Sequence, residues 1–325
     1  MPMGMPPEAD LSATAAAMRR VADNVERVIA GARDQVEAAT MCLFAEGNLL
    51  LEGVPGVGKT MLARALAASI DGTFRRVQAT PDLLPSDLTG VSVYDQSTGE
   101  FRFVPGPLFA NVVLVDEINR TTPRTQSALL EPMEERQVTV DDETHPLPRP
   151  YLVVATENPV DQHGTYPLPE GQLDRFTMTV SVGYPDDVAA GEIVRRQLLR
   201  HPIDDLEPVI SAEEVVRHQI AVRSVHVDDA VVEYVVALGR ATRDHGDVLL
   251  GASPRAMVAL TKASQAHAAM RGRAFVLPDD AKAMAASVLA HRLVPRRGGA
   301  IGNGIARDVV RELLERVRVP IGASR

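Results

Sequence analysis

Hydrophobic and polar positions divide this chain into three regimes. From Ala17 to about Ala45 apolar residues recur at helical spacing (Val21, Val25, Val28, Ile29, then Val36, Ala39, Met41, Leu43), and Gly31 predicts a break into two helices. Three runs apolar on both faces follow, Leu49–Leu51, Val112–Val115 and Tyr151–Ala155, a pattern that fits central strands of a parallel sheet. Phe74–Gln78 and Val180–Val182 read as further strands, Met61–Ile70 as an amphipathic helix closed by Asp71-Gly72, and Thr122–Glu134 as a helix. The Ser97-Thr98-Gly99 turn between alternating segments predicts a β-hairpin inserted near a helix, and Gln137–Val140 starts a second hairpin closing near His145-Pro146. From Pro185 helical patterns dominate, at about 186–200, 211–220, 227–243, 253–271, 277–292 and 303–317. Ser211 with Glu214 reads as a capping box, and Asp279-Asp280 as helix-start acids.

Alternating strands and helices followed by an all-helical block predict an α/β domain over residues 17–183 and a smaller helical domain over 184–325. Residues 1–16, rich in Pro, Met and Ala, are expected to form a disordered lead-in. At 325 residues two cores are affordable, and 45% hydrophobic and 24% charged residues are ordinary for a globular protein. The net charge of −9 and the absence of Trp argue against a protein that coats nucleic acid, although a ring with a basic pore stays open. The single Cys42 excludes an internal disulfide and reads as an apolar core residue. With no apolar run of about 18 residues and no leader-like start, a cytoplasmic chain without membrane insertion is the expectation.

The stretch Asn48–Leu62 joins a buried run to a glycine-rich loop, Lys59, Thr60 and the start of a helix. Gly53, Gly58, Lys59 and Thr60 fill the fixed places of G-x-x-x-x-G-K-[ST]. Gly56 and Gly58 let backbone N–H groups turn inward around a polyphosphate, and the following helix points its positive end at the same anion. Lys59 would reach the outer phosphates and the Thr60 hydroxyl a Mg²⁺ ion. The four fixed places coincide by chance in roughly 1% of chains of this length, and the strand before and helix after make an ordinary Gly/Pro turn a poor rival. The candidate nucleotide contacts are Gly53, Pro55, Gly56, Val57, Gly58, Lys59, Thr60 and Met61.

Asp116-Glu117 ends an apolar run, so Asp116 could hold Mg²⁺ beside Thr60 while Glu117 polarises an attacking water as general base. Asn158 follows the next buried run. In a parallel sheet ligands bind beyond the carboxyl ends of the strands, so the tips after Leu51, Val115 and Ala155 could face one site, where a neutral amide can orient water. The rival for Asn158 is an Asx-Pro turn with Pro159. Arg175, in GQLDRF, lies on a helix that could point away from its own site towards a neighbouring subunit's γ-phosphate; an ion pair with Asp174 or Glu170 is its alternative. Arg255, in GASPRA, opens a helix capped by Ser253, from which it could clasp the nucleotide; otherwise it is an exposed helix arginine. The acid pairs Glu134-Glu135 and Asp186-Asp187 read as structural, and the eight histidines show no metal-ligand spacing.

With these parts in order the chain resembles the MoxR family of AAA+ ATPases from about Val21 to Val319. The resemblance is carried by LLLEGVPGVGKT, TPDLLPSD, GPLFANVVLVDEINR, ATENP, YPLPEGQLDRF and GASPRA. It implies a P-loop AAA+ core with a parallel sheet and a helix-2 insert, followed by a smaller all-helical lid. By the resemblance Lys59 and Thr60 are Walker A, Asp116 and Glu117 Walker B, Asn158 sensor 1, Arg175 the arginine finger and Arg255 sensor 2. The hairpin around Val91–Val104 looks like the helix-2 insert, and Gln137–Pro146 like the hairpin before sensor 1. The family further implies ATP and Mg²⁺, rings that are commonly hexamers, and chaperone-like work on partner complexes, often with VWA-domain proteins. Gly171 stands where the family usually has Ala, which loosens the finger helix by up to ~1 kcal/mol, and Asn48 replaces a common His, a change expected to matter little.

Three rival readings remain at this level. A magnesium-chelatase-type subunit shares the inserts, although GASPRA and the full-length match favour MoxR. A nucleic-acid motor would show salt-sensitive, DNA-stimulated turnover. A nucleotide-gated scaffold without turnover is opposed by intact Asp116, Glu117 and Arg175.

Overall fold

The structure is a computed structural model describing residues 11–159, 164–199, 201–296 and 304–319. Helices α1 (Leu11–Glu26) and α2 (Arg33–Phe44) lead into strand β1 (Leu49–Glu52) and helix α3 (Lys59–Ala68). Strands β2 (Ile70–Asp71) and β3 (Phe74–Gln78) follow, then a single turn α4 (Pro85–Thr89), the hairpin β4 (Gly90–Asp95) and β5 (Glu100–Pro105), and strand β6 (Val112–Asp116). Short helices α5 (Pro123–Ser127) and α6 (Leu130–Glu135) precede the hairpin β7 (Gln137–Val140) and β8 (Glu143–Pro146). Strand β9 (Leu152–Glu157), α7 (Glu170–Leu173) and β10 (Met178–Ser181) complete this part. The remainder comprises α8 (Asp187–Leu199), β11 (Ile210–Ser211), α9 (Ala212–Arg223), α10 (Asp229–Arg243), β12 (Val248–Leu250), α11 (Pro254–Met270), α12 (Pro278–Leu289), β13 (Val294–Pro295) and α13 (Gly304–Arg316).

Five strands form one parallel sheet in the order β10-β1-β9-β6-β3. Strands β1, β6 and β9 hold its middle, as runs apolar on both faces require. Successive side chains point to opposite faces, so Leu49, Leu51, Leu114 and Val154 join one core with α1, α2, α3 and the C-terminal helices. Leu50, Val113, Val115 and Val153 join a second core with Leu129, Met133, Leu173 and Phe176.

The first helix begins at Leu11, so residues 11–16, expected in the disordered lead-in, are helical; residues 1–10 of that lead-in lie outside the described residues. Leu11, Thr14 and Ala15 are buried, extending the apolar face that continues through Met18, Val21 and Val25. The expected helix through Ile70 stops at Ala68 because Ile70 pairs with Ile210 in a two-stranded ribbon, and the Ser69 carbonyl accepts from Val209 N–H at 3.0 Å. The single helix expected over Thr122–Glu134 is two, since Pro132 has no N–H to offer the Ala128 carbonyl. The C-terminal block also contains an antiparallel pair, β12 with β13, that its helical periodicity hid.

Candidate functional site

The loop between β1 and α3 takes left-handed backbone at Gly56 (φ 82°) and at Gly58 (φ 94°), the residue capping α3, which only glycine adopts without strain. The Lys59 ammonium donates to the Gly53 carbonyl and, at 3.1 Å, to that of Val54. Burial pushes its pKa below the usual lysine range, opposed by Asp116, Glu117 and Glu157. Beside the loop lies a cavity of about 410 Å³, within the range that encloses small ligands. Val28, Ile29, Val57, Met61, Ile193 and Val194 line it with apolar surface, and Gln35 and His201 with polar groups.

The tips of β1, β9 and β6 are neighbours, and the structure brings their polar residues together there. Asp116 is buried and takes three donors: Thr60 Oγ1 at 3.0 Å, Thr156 Oγ1 at 2.6 Å and Arg76 Nη2 at 2.7 Å. Two oxygens that share an octahedral Mg²⁺ stand about 2.9 Å apart, so Thr60 and Asp116 fit such an ion. Glu117 has left-handed backbone (φ 59°, ψ 49°), uncommon for a residue with a side chain and concentrated at functional sites. Its N–H donates to Thr156 Oγ1 at 2.8 Å, and its carboxylate meets Arg120 Nε at 3.0 Å. Asn158 is buried beyond β9, its carbonyl accepting from Asn119 Nδ2 at 3.3 Å.

Arg175 and Arg255 meet elsewhere. Arg175 is not on a helix as expected: α7 ends at Leu173 and Arg175 lies in the turn that follows, three residues before β10. Met178, the first residue of β10, pairs with Leu49, so this turn lies at the end of the sheet opposite the phosphate loop. Four strand residues separate those ends by about 13 Å. Arg175 Nε is 3.3 Å from Glu134 Oε2, without its N–H aligned on that oxygen, and Arg255 Nη2 pairs with Glu134 Oε1. Ser253 caps α11, accepting from Ala256 N–H at 3.1 Å, and its hydroxyl reaches Asp174 at 3.2 Å. Buried Arg292 clamps the same turn, donating to Asp174 Oδ1 at 2.8 Å and to the Phe176 carbonyl at 2.7 Å. Neither Arg175 nor Arg255 lines the cavity beside the phosphate loop. The expectation that Arg255 clasps its own chain's nucleotide therefore finds no such geometry here. Arg175 is paired with neither Asp174 nor Glu170 among the described ion pairs, but with Glu134.

The sequence agrees with this architecture when set against known proteins. Residues 48–178 match the ATPase family associated with various cellular activities (AAA), and residues 240–313 match the AAA lid domain. The Mycobacterium tuberculosis protein named chaperone MoxR1 is 39% identical over 319 residues, covering 95% of this chain and 84% of that protein. The chain belongs to the MoxR family of AAA+ ATPases. YeaC of Bacillus subtilis, itself uncharacterised, is 48% identical over 94% of this chain and 95% of its own. A crystal structure of a candidate ATPase from Cytophaga hutchinsonii superposes with a TM-score of 0.86 at 36% identity, covering 96% of this chain and 97% of that one.

A MoxR-type fold thus accounts for the phosphate loop and the acids, but the contacts of three other residues were not legible in the sequence. Glu134, read as structural, forms an ion pair with each arginine, while Arg175 Nη1 donates to the Gly171 carbonyl. Asn48, expected to matter little, is buried: its Nδ2 donates to the Met133 carbonyl at 3.2 Å and faces that of Arg175 at 3.5 Å. Thr156, in ATENP, joins Asp116 at the end of β6 to Glu117 just beyond it: its hydroxyl donates to Asp116 and accepts from the Glu117 N–H. Cys42 is wholly buried and its thiol is pushed up to about 12 by that burial, as a core residue requires. Among the described residues no group of three or more His, Cys, Asp and Glu could hold a metal ion, and no helix is long and apolar enough to cross a membrane.

Proposed function

We propose that this protein hydrolyses ATP in a ring of identical subunits, commonly six in this family, and uses that cycle to remodel or mature partner protein complexes. The convergence of Thr60, Asp116, Glu117 and Asn158 at adjoining strand tips carries the chemical part of this reading. Lys59 and the loop from Gly53 to Met61 bind the phosphates, and Thr60 and Asp116 hold Mg²⁺, which when bound offsets charge on the phosphates. Glu117 takes the proton of the attacking water, and Asn158 orients it. Arg175 and Arg255, at the far end of the sheet, serve the neighbour's γ-phosphate, where arginines stabilise the developing charge. The name of MoxR1 supports the chaperone-like part, and a VWA-domain partner is the family's usual companion. A cytoplasmic location goes with this role.

The test is ATP turnover per subunit across a wide range of protein concentration. A rise as subunits associate is expected, with Glu117→Gln abolishing turnover while ATP binding persists. Flat, substantial turnover from monomer to oligomer would overturn the shared site.

A further inference from the structure

Two guanidiniums that serve one phosphate repel each other, and something must set their spacing. Glu134 supplies both oxygens to this pair, Oε1 to Arg255 and Oε2 to Arg175. Its own helix is tied to the turn that carries Arg175: the Asn48 amide reaches the Met133 carbonyl and faces that of Arg175. The second carboxylate, Asp174, is engaged by buried Arg292 and by Ser253 and stands 3.9 Å from Arg255 Nη1, too far to replace Glu134. Three guanidiniums therefore face two carboxylates, leaving positive charge for a phosphate. Without Glu134 three would face one: Arg175 would keep only its bond to the Gly171 carbonyl, and Arg255 would be left with Asp174 at 3.9 Å, so nothing would tie the two to each other.

We propose that Glu134 is a positioning residue that fixes the spacing of Arg175 and Arg255, so that the pair enters the neighbouring subunit's nucleotide site as one unit. This rests on the reading that those arginines act in trans. Glu134 also lowers the local positive charge, which by itself would weaken attraction for phosphate. Placement outweighs that effect: a partly exposed ion pair is worth at most about 1 kcal/mol, whereas about 1 Å of misplacement can cost roughly 100-fold in rate. Removing the carboxylate therefore slows turnover.

The experiment compares Glu134→Gln, with Glu134→Ala as a second variant, against Arg175→Ala in the full-length protein, each checked for wild-type thermal unfolding. Glu134→Gln is expected to lower kcat by about 10-fold or more, with KM for ATP within about twofold. Mixing Glu134→Gln subunits with Lys59→Ala subunits should raise turnover above either alone, because the second supplies intact arginines to the first one's phosphate loop. A defect confined to folding or to the mutant's own site would not be rescued this way. Wild-type kcat in both Glu134 variants would overturn the inference. So would the absence of rescue when an Arg175→Ala and Lys59→Ala mixture is rescued. If Arg175→Ala itself turned over normally, the reading in trans would fall and this inference with it.

Discussion

Glu52 and Glu157 lie side by side in register at the C-terminal ends of β1 and β9. Burial raises both above the usual carboxylate range. Glu52 reaches about 7, with the charge of Glu157 adding to the shift and Arg307, 3.4 Å away on α13, opposing it. The Lys59 ammonium opposes the rise at Glu157. Two acids thus share a shielded place next to the phosphate loop, and one is tied to the C-terminal helices.

A raised carboxyl pKa means that the folded chain binds more protons than the unfolded one between about pH 4.5 and 7. The stability linked to Glu52 is complete below the unfolded pKa, falls as pH rises through the folded one, and levels off above it. Glu52→Gln removes the titration, so its advantage over wild type should grow from pH 5 to pH 8 by about 1–3 kcal/mol. Urea unfolding of both proteins at several pH values measures it. A difference that does not change with pH would show that Glu52 is solvated in the folded state.

Thr156 joins Asp116, the last residue of β6, to Glu117 through one hydroxyl, which donates to Asp116 and accepts from the Glu117 N–H. Thr156→Val keeps the shape and strands both partners, at a cost of about 1–3 kcal/mol for the buried groups. Turnover should fall by about 10-fold or more while ADP affinity changes little, and Thr156→Ser should restore most of the rate. Steady-state turnover beside an ADP titration separates the two. Wild-type turnover in Thr156→Val would mean that the strand ends hold Asp116 and Glu117 unaided.

The phosphate loop and the acids of β6 were legible because their chemistry is local. A fixed spacing, a buried run before it and a helix after it place Lys59 and Thr60 without any knowledge of the rest of the chain. The strand order, once inferred as parallel, predicts where Asp116 and Asn158 end up. Glu134 could not be read this way. Its partners, Arg175 and Arg255, are remote in sequence and come to it through the turn that Arg292 clamps. The same holds for Arg255, whose helix cap was visible in Ser253 and Pro254 but whose direction depended on packing between α11 and the rest. Ile70 failed for a related reason: a two-residue strand has no periodicity of its own and exists only because Ile210 lies alongside it.

Gly31 links the N-terminal helices to the cavity beside the phosphate loop. It lines that cavity, holds left-handed backbone at φ 72°, and a Cβ placed there would lie 2.5 Å from the Ala189 Cβ on α8. No flexible side chain is available to give way, so Gly31→Ala must push the start of α8, besides straining its own backbone by about 1 kcal/mol. Ala190, Ile193 and Val194 of that helix line the same cavity. The loop between β1 and α3, Lys59 and Thr60 at the start of α3, and the residues at the ends of β6 and β9 do not come within 4 Å of the added Cβ and are left in place. KM for ATP should therefore rise by about 10-fold with kcat nearly unchanged. Adding Ala189→Gly removes the steric conflict but not the backbone strain, so the double variant should recover most of the affinity and little of the lost stability. Steady-state kinetics of the single and double variants, read beside their thermal unfolding, check both halves. A drop in kcat at unchanged KM would place the effect of Gly31 on the chemistry instead of on nucleotide binding.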